Sequence, residues 1–222
     1  MESNTIKNKN EIGLDINIKR FELGPLETNS YVVWTTDDCW VVDVGMLPAN
    51  LEDFLEAENL SPSKILLTHG HGDHIGGVEY VMKKFTDAKL YCPAADEEML
   101  SSPSKNLSGA LLMSIVSPPA DALLNPGDTL DMGEFTWNVL DTSGHTKGGM
   151  SFYCPQADIV MTGDALFCGS VGRSDIPGGD GAQLLDNIRN NLLTLPDETR
   201  VLPGHGPETT IGTEKRSNPF IK

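Results

Sequence analysis

Three of the five histidines in this chain fall in one stretch, Thr68-His69-Gly70-His71-Gly72-Asp73-His74, directly after the apolar run Ile65-Leu66-Leu67. The apolar run reads as a buried strand, so the histidines follow at its carboxyl end, where open α/β sheets usually place their ligands. Alternating positions let His69 and His71 point into the same cavity from an extended or turning backbone. Asp73 and His74, at the following turn, can reach a second point close by. Gly70, Gly72, Gly76 and Gly77 remove side-chain bulk where the backbone has to curl. Imidazole nitrogen and carboxylate oxygen suit Zn²⁺, Fe²⁺ or Mn²⁺, and the lack of a thiolate argues against a purely structural zinc site.

The other two histidines lie in glycine-flanked contexts, Asp141-Thr-Ser-Gly-His145-Thr and Leu202-Pro-Gly-His205-Gly-Pro, each after an expected strand. Between them Ile159-Val-Met-Thr-Gly-Asp164 is another strand that ends on glycine and a carboxylate. Four strand ends therefore deliver His or Asp. Taken alone, each residue has an ordinary reading: a lone histidine as a surface or core residue, and Gly-Asp as a common turn pair. Their joint placement is what favours a metal site. Asp43 either supports the histidine loop from behind or forms a turn. Thr146 and Lys147 either face the cavity or belong to a solvated loop. Cys168 reads as a small buried residue, and Trp34 and Trp40 read as core.

The flanking pattern is that of an α/β chain. Strands are expected at Asp15 to Leu23, Tyr31 to Trp34, Trp40 to Asp43, Leu90 to Cys92, Thr129 to Met132, Phe135 to Leu140, Met150 to Tyr153, Ile159 to Met161 and Arg200 to Leu202, with turns at Gly24-Pro25 and Asp37-Asp38. Helical spacing appears at Leu51 to Leu60, Val78 to Phe85, Asp96 to Leu100 and Ala182 to Leu193. The segment from Ser101 to Pro126 reads as loops with one short helix. With 222 residues and no linker, the expected organisation is a loose polar tail over residues 1–12 and a single domain over 13–222. The net charge of −16, without a cluster of Lys or Arg, argues against a nucleic-acid partner. No apolar run reaches membrane length or forms a secretory leader, and the four cysteines show neither C-x-x-C spacing nor a disulfide framework. A cytoplasmic protein is the expectation.

The ordered set Thr68-His69-Gly-His71-Gly-Asp73-His74, His145, Asp164, His205 resembles the metallo-β-lactamase superfamily, whose motif reads T-H-x-H-x-D-H, a distal His, an Asp after a strand and a final G-H. The resemblance runs from about Asp43 to the C-terminus. It implies an αββα sandwich of two mixed β-sheets flanked by helices, with two divalent metal ions at one edge. It further implies His69, His71 and His145 on one ion, Asp73, His74 and His205 on the other, and Asp164 bridging them. A hydroxide shared by the two ions would be the nucleophile, with Asp73 orienting it, and the positive pocket would favour an anionic small molecule.

The finer resemblance is to glyoxalase II-like hydrolases of the short type. Gly163-Asp164-Ala-Leu-Phe-Cys-Gly169-Ser-Val-Gly172-Arg173 is similar to their substrate loop, and Arg173 stands at its basic position. Pro207 and the ending at Lys222 depart from glyoxalase II proper, which carries a Tyr two residues after the last His and a C-terminal helical domain. The resemblance thus implies hydrolysis of a thioester, most simply of the hydroxyacylglutathione type. The alternatives within the superfamily are a mononuclear iron persulfide dioxygenase and a lactone or ester hydrolase. A metal-binding module without turnover is the alternative from a different class. The oligomeric state is left open.

Overall fold

A computed structural model describes residues 5–9 and 15–221 of the chain. The first half begins as an antiparallel meander, β1 (Thr5–Lys9), β2 (Asp15–Leu23), β3 (Thr28–Trp34) and β4 (Cys39–Val42). Gly24, at φ +69°, allows the β2–β3 turn, and the Thr35 hydroxyl closes the β3–β4 turn by accepting from the amides of Asp37 and Asp38. Parallel pairing then takes over, which requires crossover connections. α1 (Ala49–Ala57) leads to β5 (Lys64–Leu66), α2 (Gly72–Ile75) and α3 (Val78–Lys84) lead to β6 (Lys89–Pro93), and α4 (Glu97–Leu100) precedes β7 (Ala122–Leu124). The result is a seven-stranded mixed sheet in sequential order, β1 to β7.

The second half contains β8 (Thr129–Met132), β9 (Phe135–Asp141), β10 (Met150–Cys154), β11 (Ile159–Gly163), the small hairpin β12 (Leu166–Phe167) and β13 (Ser170–Val171), α5 (Gly181–Asn187), β14 (Arg200–Pro203), β15 (Thr209–Thr210) and α6 (Ile211–Ser217). Its six-stranded sheet runs β15-β14-β11-β10-β9-β8, antiparallel except for the β11–β14 pair. The carboxyl ends of β9, β11 and β14 consequently lie at one edge.

Three apolar clusters show why several strands read as unbroken hydrophobic runs. Tyr31, Val33, Trp40, Val42 and Leu66 of the first sheet meet Trp137, Val139, Phe152, Met161 and Leu202 of the second. The alternate residues Val32, Val41, Ile65 and Leu67 turn the other way, onto Leu51 and Leu55 of α1 and Val78 and Val81 of α3. In the second sheet Val160 and Val201 face Leu184, Ile188 and Ile211. Strands covered on both faces need apolar side chains at every position. The layers are therefore helix, sheet, sheet, helix, which is the expected αββα sandwich. Trp40 and Trp137 cross the interface between the sheets with ring centroids 6.3 Å apart.

Several local expectations need correction. Within the expected tail, Thr5–Lys9 form β1 and pair with β2, because an edge strand is held by backbone hydrogen bonds that a polar sequence does not advertise; the rest of residues 1–12 lies outside the described residues. The Ser101–Pro126 segment holds a 3₁₀ turn, Ser108–Leu111, and also β7, whose three residues are too short for a periodic signal. α5, capped by Asp180 accepting from the Gln183 amide at 3.0 Å, ends at Asn187 and continues as a π-helical turn, Ile188–Leu192. Cys168 is exposed rather than buried, because with Gly169 (φ +70°) it forms the turn of the β12–β13 hairpin; Cys39, Cys92 and Cys154 are buried free thiols. Among the described residues no helix is long and apolar enough to cross a membrane.

Phe152 is fully buried between the two sheets. Phe152→Ala is expected to cost about 3–5 kcal/mol and to lower the melting temperature by roughly 6–20 °C, as read by circular dichroism.

Candidate metal centre

The loops after β5, β9, β11 and β14 bring the five histidines together with Asp73 and Asp164. Two groups of ligand atoms that share no residue can be distinguished, His69–His71–His145 and Asp73–His74–His205, each within 4.8 Å. In the first, His145 Nε2 lies 2.9 Å from His71 Nδ1. In the second, His205 Nε2 lies 3.3 Å from His74 Nε2 and 3.2 Å from Asp73 Oδ2. Asp164 stands between them, with Oδ2 3.5 Å from His145 Nε2 and 3.6 Å from His205 Nε2, and Oδ1 3.3 Å from His74 Nε2.

The outward-facing nitrogens explain why the inward ones are free to act as ligands. His145 Nδ1 donates to the Arg173 carbonyl at 2.7 Å, and His205 Nδ1 to the Leu26 carbonyl at 3.0 Å. His74 Nδ1 donates to Asp43 Oδ2 at 2.8 Å. Thr68 Oγ1 donates to the same carboxylate at 2.7 Å, so it accepts from His69 Nδ1 at 3.1 Å. In the neutral imidazole each of these bonds fixes a tautomer that leaves Nε2 with its lone pair pointed inward. His69 Nε2, His71 Nε2 and Asp164 Oδ1 are buried with no hydrogen-bond partner. A cation held among N and O donors would satisfy such atoms, so the residues present fit divalent metal.

The acid–base balance divides the ligands. Burial, reinforced by neighbouring imidazoles, holds His69 well below the usual histidine range and brings His71 down to about 3. For Asp73 and Asp164 burial favours the neutral acid, but the surrounding imidazoles, led by His74, outweigh it and keep both carboxyls below the usual range. Burial likewise opposes charge on His74, yet Asp164, Asp73 and Asp43 together raise it well above the ordinary value. His205 is raised despite burial by its hydrogen bond to Asp73 and by Asp164.

Asp43 joins the ends of β4 and β5. Its carboxylate accepts from Thr68 N at 2.8 Å, from Thr68 Oγ1 and from His74, and its own backbone adopts φ +53°, a left-handed conformation that a non-glycine residue holds only under constraint. Asp43 thus sits behind the histidine loop, in contact with Thr68 and His74. Arg173 behaves differently: its guanidinium forms a two-pronged pair with Asp175, at 2.9 and 3.1 Å, and both side chains are exposed. It borders a cavity of about 590 Å³ that opens onto His71, Asp73, His145 and Asp164. Thr146 turns inward and donates to Asp96, whereas Lys147 is exposed.

Several supporting residues escaped the sequence reading. Buried Asp96 accepts from Gly70 N at 3.1 Å, Thr146 Oγ1 at 2.7 Å and Gly148 N at 2.8 Å, tying the first histidine loop to that of His145. Thr28 donates to Asp73 Oδ2 at 3.2 Å, and Asn29 and Tyr31 hold the carbonyl of Pro203. Asp96 looked like a helix start, since a carboxylate at a helix entrance and one anchoring distant loops are the same letter. Gly204 is needed because a Cβ there would overlap Asp164 Oδ1 and come within 2.8 Å of His74 Cε1.

Known proteins resemble this chain over most of its length. The sequence profile described as Metallo-beta-lactamase superfamily matches residues 23–205. The probable metallo-hydrolase YqgX of Bacillus subtilis (strain 168) is 39% identical over 204 residues, 91% of this chain and 96% of that protein. The hydroxyacylglutathione hydrolase GloC of Haemophilus influenzae is 32% identical, over 93% of this chain and 98% of its own. Two solved structures superpose closely. BLEG-1 B3 metallo-beta-lactamase has a TM-score of 0.88 at 40% identity, covering 92% of this chain and 99% of that one. TTHA1623 in a di-iron-bound form has a TM-score of 0.81 at 39% identity, covering 90% and 98%.

Removal of the Asp43 carboxylate should loosen His74 and Thr68 without deleting a ligand. Asp43→Ala is expected to weaken metal affinity about 10- to 100-fold, measured by chelator competition. Because His74 and His205 are raised, they retain protons to higher pH, and metal must displace those protons. Affinity measured in the same assay is expected to fall as pH is lowered from 8 to 6, with proton release on loading in weakly buffered solution.

Proposed function

The chain belongs to the metallo-β-lactamase superfamily as a metallo-hydrolase, and we propose that its substrate is a small anionic thioester of the hydroxyacylglutathione type. The observation that carries this reading is the pairing of two N/O ligand groups through Asp164 at the floor of a cavity large enough for a small molecule. The similarity to GloC supports the thioester class, and so does the Gly163–Arg173 loop, whose Arg173 borders the cavity.

Two divalent cations bound here would acidify water and polarise a carbonyl, which is the chemistry hydrolysis needs at neutral pH. His69, His71 and His145 would hold one, Asp73, His74 and His205 the other, with Asp164 between. The chain's own contribution is to place these donors in advance and to hold His69 and His71 neutral and Asp73 and Asp164 ionised, while His74 and His205 give up protons on loading. Asp73, held ionised and fixed by the Thr28 hydroxyl, presents Oδ2 as an acceptor that can orient a water proton. In the reaction a water oxygen forms a C–O bond at the thioester carbonyl and the C–S bond breaks. The sulfur leaves as thiolate and takes up one of the water's protons, the other passing to solvent, giving a carboxylate and a free thiol. Two carboxylates do not neutralise two divalent cations, so the pocket is positive and attracts anionic substrates although the whole chain carries −16.

The test is metal analysis of the purified protein together with thiol release from S-lactoylglutathione. About two metal ions per chain and a kcat/KM of roughly 10⁴ M⁻¹s⁻¹ or more are expected, with His145→Ala losing at least about 100-fold as its metal is lost. A fully loaded protein that releases no thiol, but consumes oxygen with a persulfide or opens only β-lactams, overturns the assignment.

A further inference from the structure

The cavity above the metal centre has an uneven wall. Leu107, Ala110, Met113 and Ile115 line one side and Leu26 and Met46 help close it, while the only lysine or arginine among its described lining residues is Arg173. That guanidinium is already engaged by both oxygens of Asp175. Arg173 is thus the one cationic contact for an anion among the wall's described residues, whereas a hydrocarbon group would find contact surface along the 107–115 segment.

That segment is a built part of the site. The Asn106 carbonyl accepts from Gly72 N at 2.8 Å, which attaches it to the backbone of the histidine motif itself. Asn106, buried, also ties the segment's far end by donating to the carbonyls of Met99 and Ile115, each at 2.9 Å. Ser108, also buried, accepts from Ile115 N at 3.1 Å through its hydroxyl and from Met113 N at 2.9 Å through its carbonyl. Two leucines, Leu107 (φ +65°) and Leu112 (φ +57°), hold left-handed turns where glycine would be the relaxed choice. The polar anchors thus point down into the protein, and the apolar side chains of Leu107, Ala110, Met113 and Ile115 are left lining the cavity.

We propose that residues 106–115 form a substrate-selecting wall that receives a hydrocarbon arm attached to the scissile group, so that this site ranks its substrates by apolar fit. The reading of the scissile group as a thioester comes from the proposed function, and the wall itself does not depend on it. The occupant is the substrate's arm because the wall and the ligand residues line one cavity.

The experiment uses the metal-loaded full chain with two series: S-acyl glutathiones from acetyl to hexanoyl, and S-acetyl esters of alkanethiols of increasing length. Burial of each added methylene is expected to raise kcat/KM about fourfold in one of the two, which tells whether the arm belongs to the acyl or the thiol side. Met113→Ser and Leu107→Asn, the latter retaining tolerance for a left-handed backbone, are expected to flatten that slope while metal content and melting temperature stay at the wild-type values. Calorimetric titration with n-alkanoates reads the same wall without turnover, with affinity rising with chain length. If no thioester is cleaved but the alkanoate slope persists and both substitutions flatten it, the thioester reading fails and the wall stands. Flat slopes in both substrate series and in the titration, or slopes that both variants leave intact, overturn the wall.

Discussion

The Asp43 carboxylate is the point on which the rest of the site hangs. By accepting from the Thr68 amide, the Thr68 hydroxyl and His74 Nδ1, one buried side chain holds the end of β4 to the end of β5 and settles the orientation of His69 through Thr68 and of His74 directly. Backbone bonds on either side, Asp43 N to the Leu66 carbonyl and Val44 N to the His74 carbonyl, keep Asp43 in its left-handed conformation. Buried polar groups of this kind are costly unless fully satisfied, so the packing around them has to be specific. Here that specificity coincides with the geometry a metal requires.

The second ligand group depends on contact between the two sheets. His205 follows β14 of the second sheet, yet its Nδ1 donates to Leu26, its neighbour Gly204 accepts from Asn29 N at 2.7 Å, and Pro203 is held by Asn29 and Tyr31, all from β3 or the β2–β3 turn of the first sheet. The buried polar run Thr28-Asn29-Ser30 at the start of β3 interrupts an otherwise apolar strand for this reason. Thr28 reaches Asp73, Asn29 holds the His205 loop, and Ser30 accepts from Gly45 N. Sheet stacking driven by Trp40, Trp137, Phe152 and their neighbours therefore also assembles the chemistry. Asp96 does for the first ligand group what Thr28 and Asn29 do for the second, joining the Gly70 and Gly148 amides across loops that are distant in sequence.

Much of this was legible in the sequence where the signal was local. Ile65-Leu66-Leu67 followed by alternating histidines marked a buried strand and its ligand-bearing end, and Val41 and Val160 made their strands continuous apolar runs because both faces are covered. β1, β7 and the β12–β13 hairpin were not legible, since strands this short or polar are held by partners rather than by their own periodicity. Cys168 reads as a small apolar residue by composition, and only the hairpin turn exposes it.

What the sequence by itself determined is the chemical identity of the donors, their order along the chain and their position after strands: nitrogen and oxygen without thiolate, spaced so that neighbours can share a target. What only the tertiary structure decided is which side chains hold those donors still. Thr28 and Asp73 are 45 residues apart, Asp96 and Gly148 are 52 apart, and Asn29 and Pro203 are 174 apart. A threonine, aspartate or asparagine that satisfies a distant loop is the same residue as one that caps a helix or faces water. The difference lies in burial and direction, which exist only once the sheets have packed.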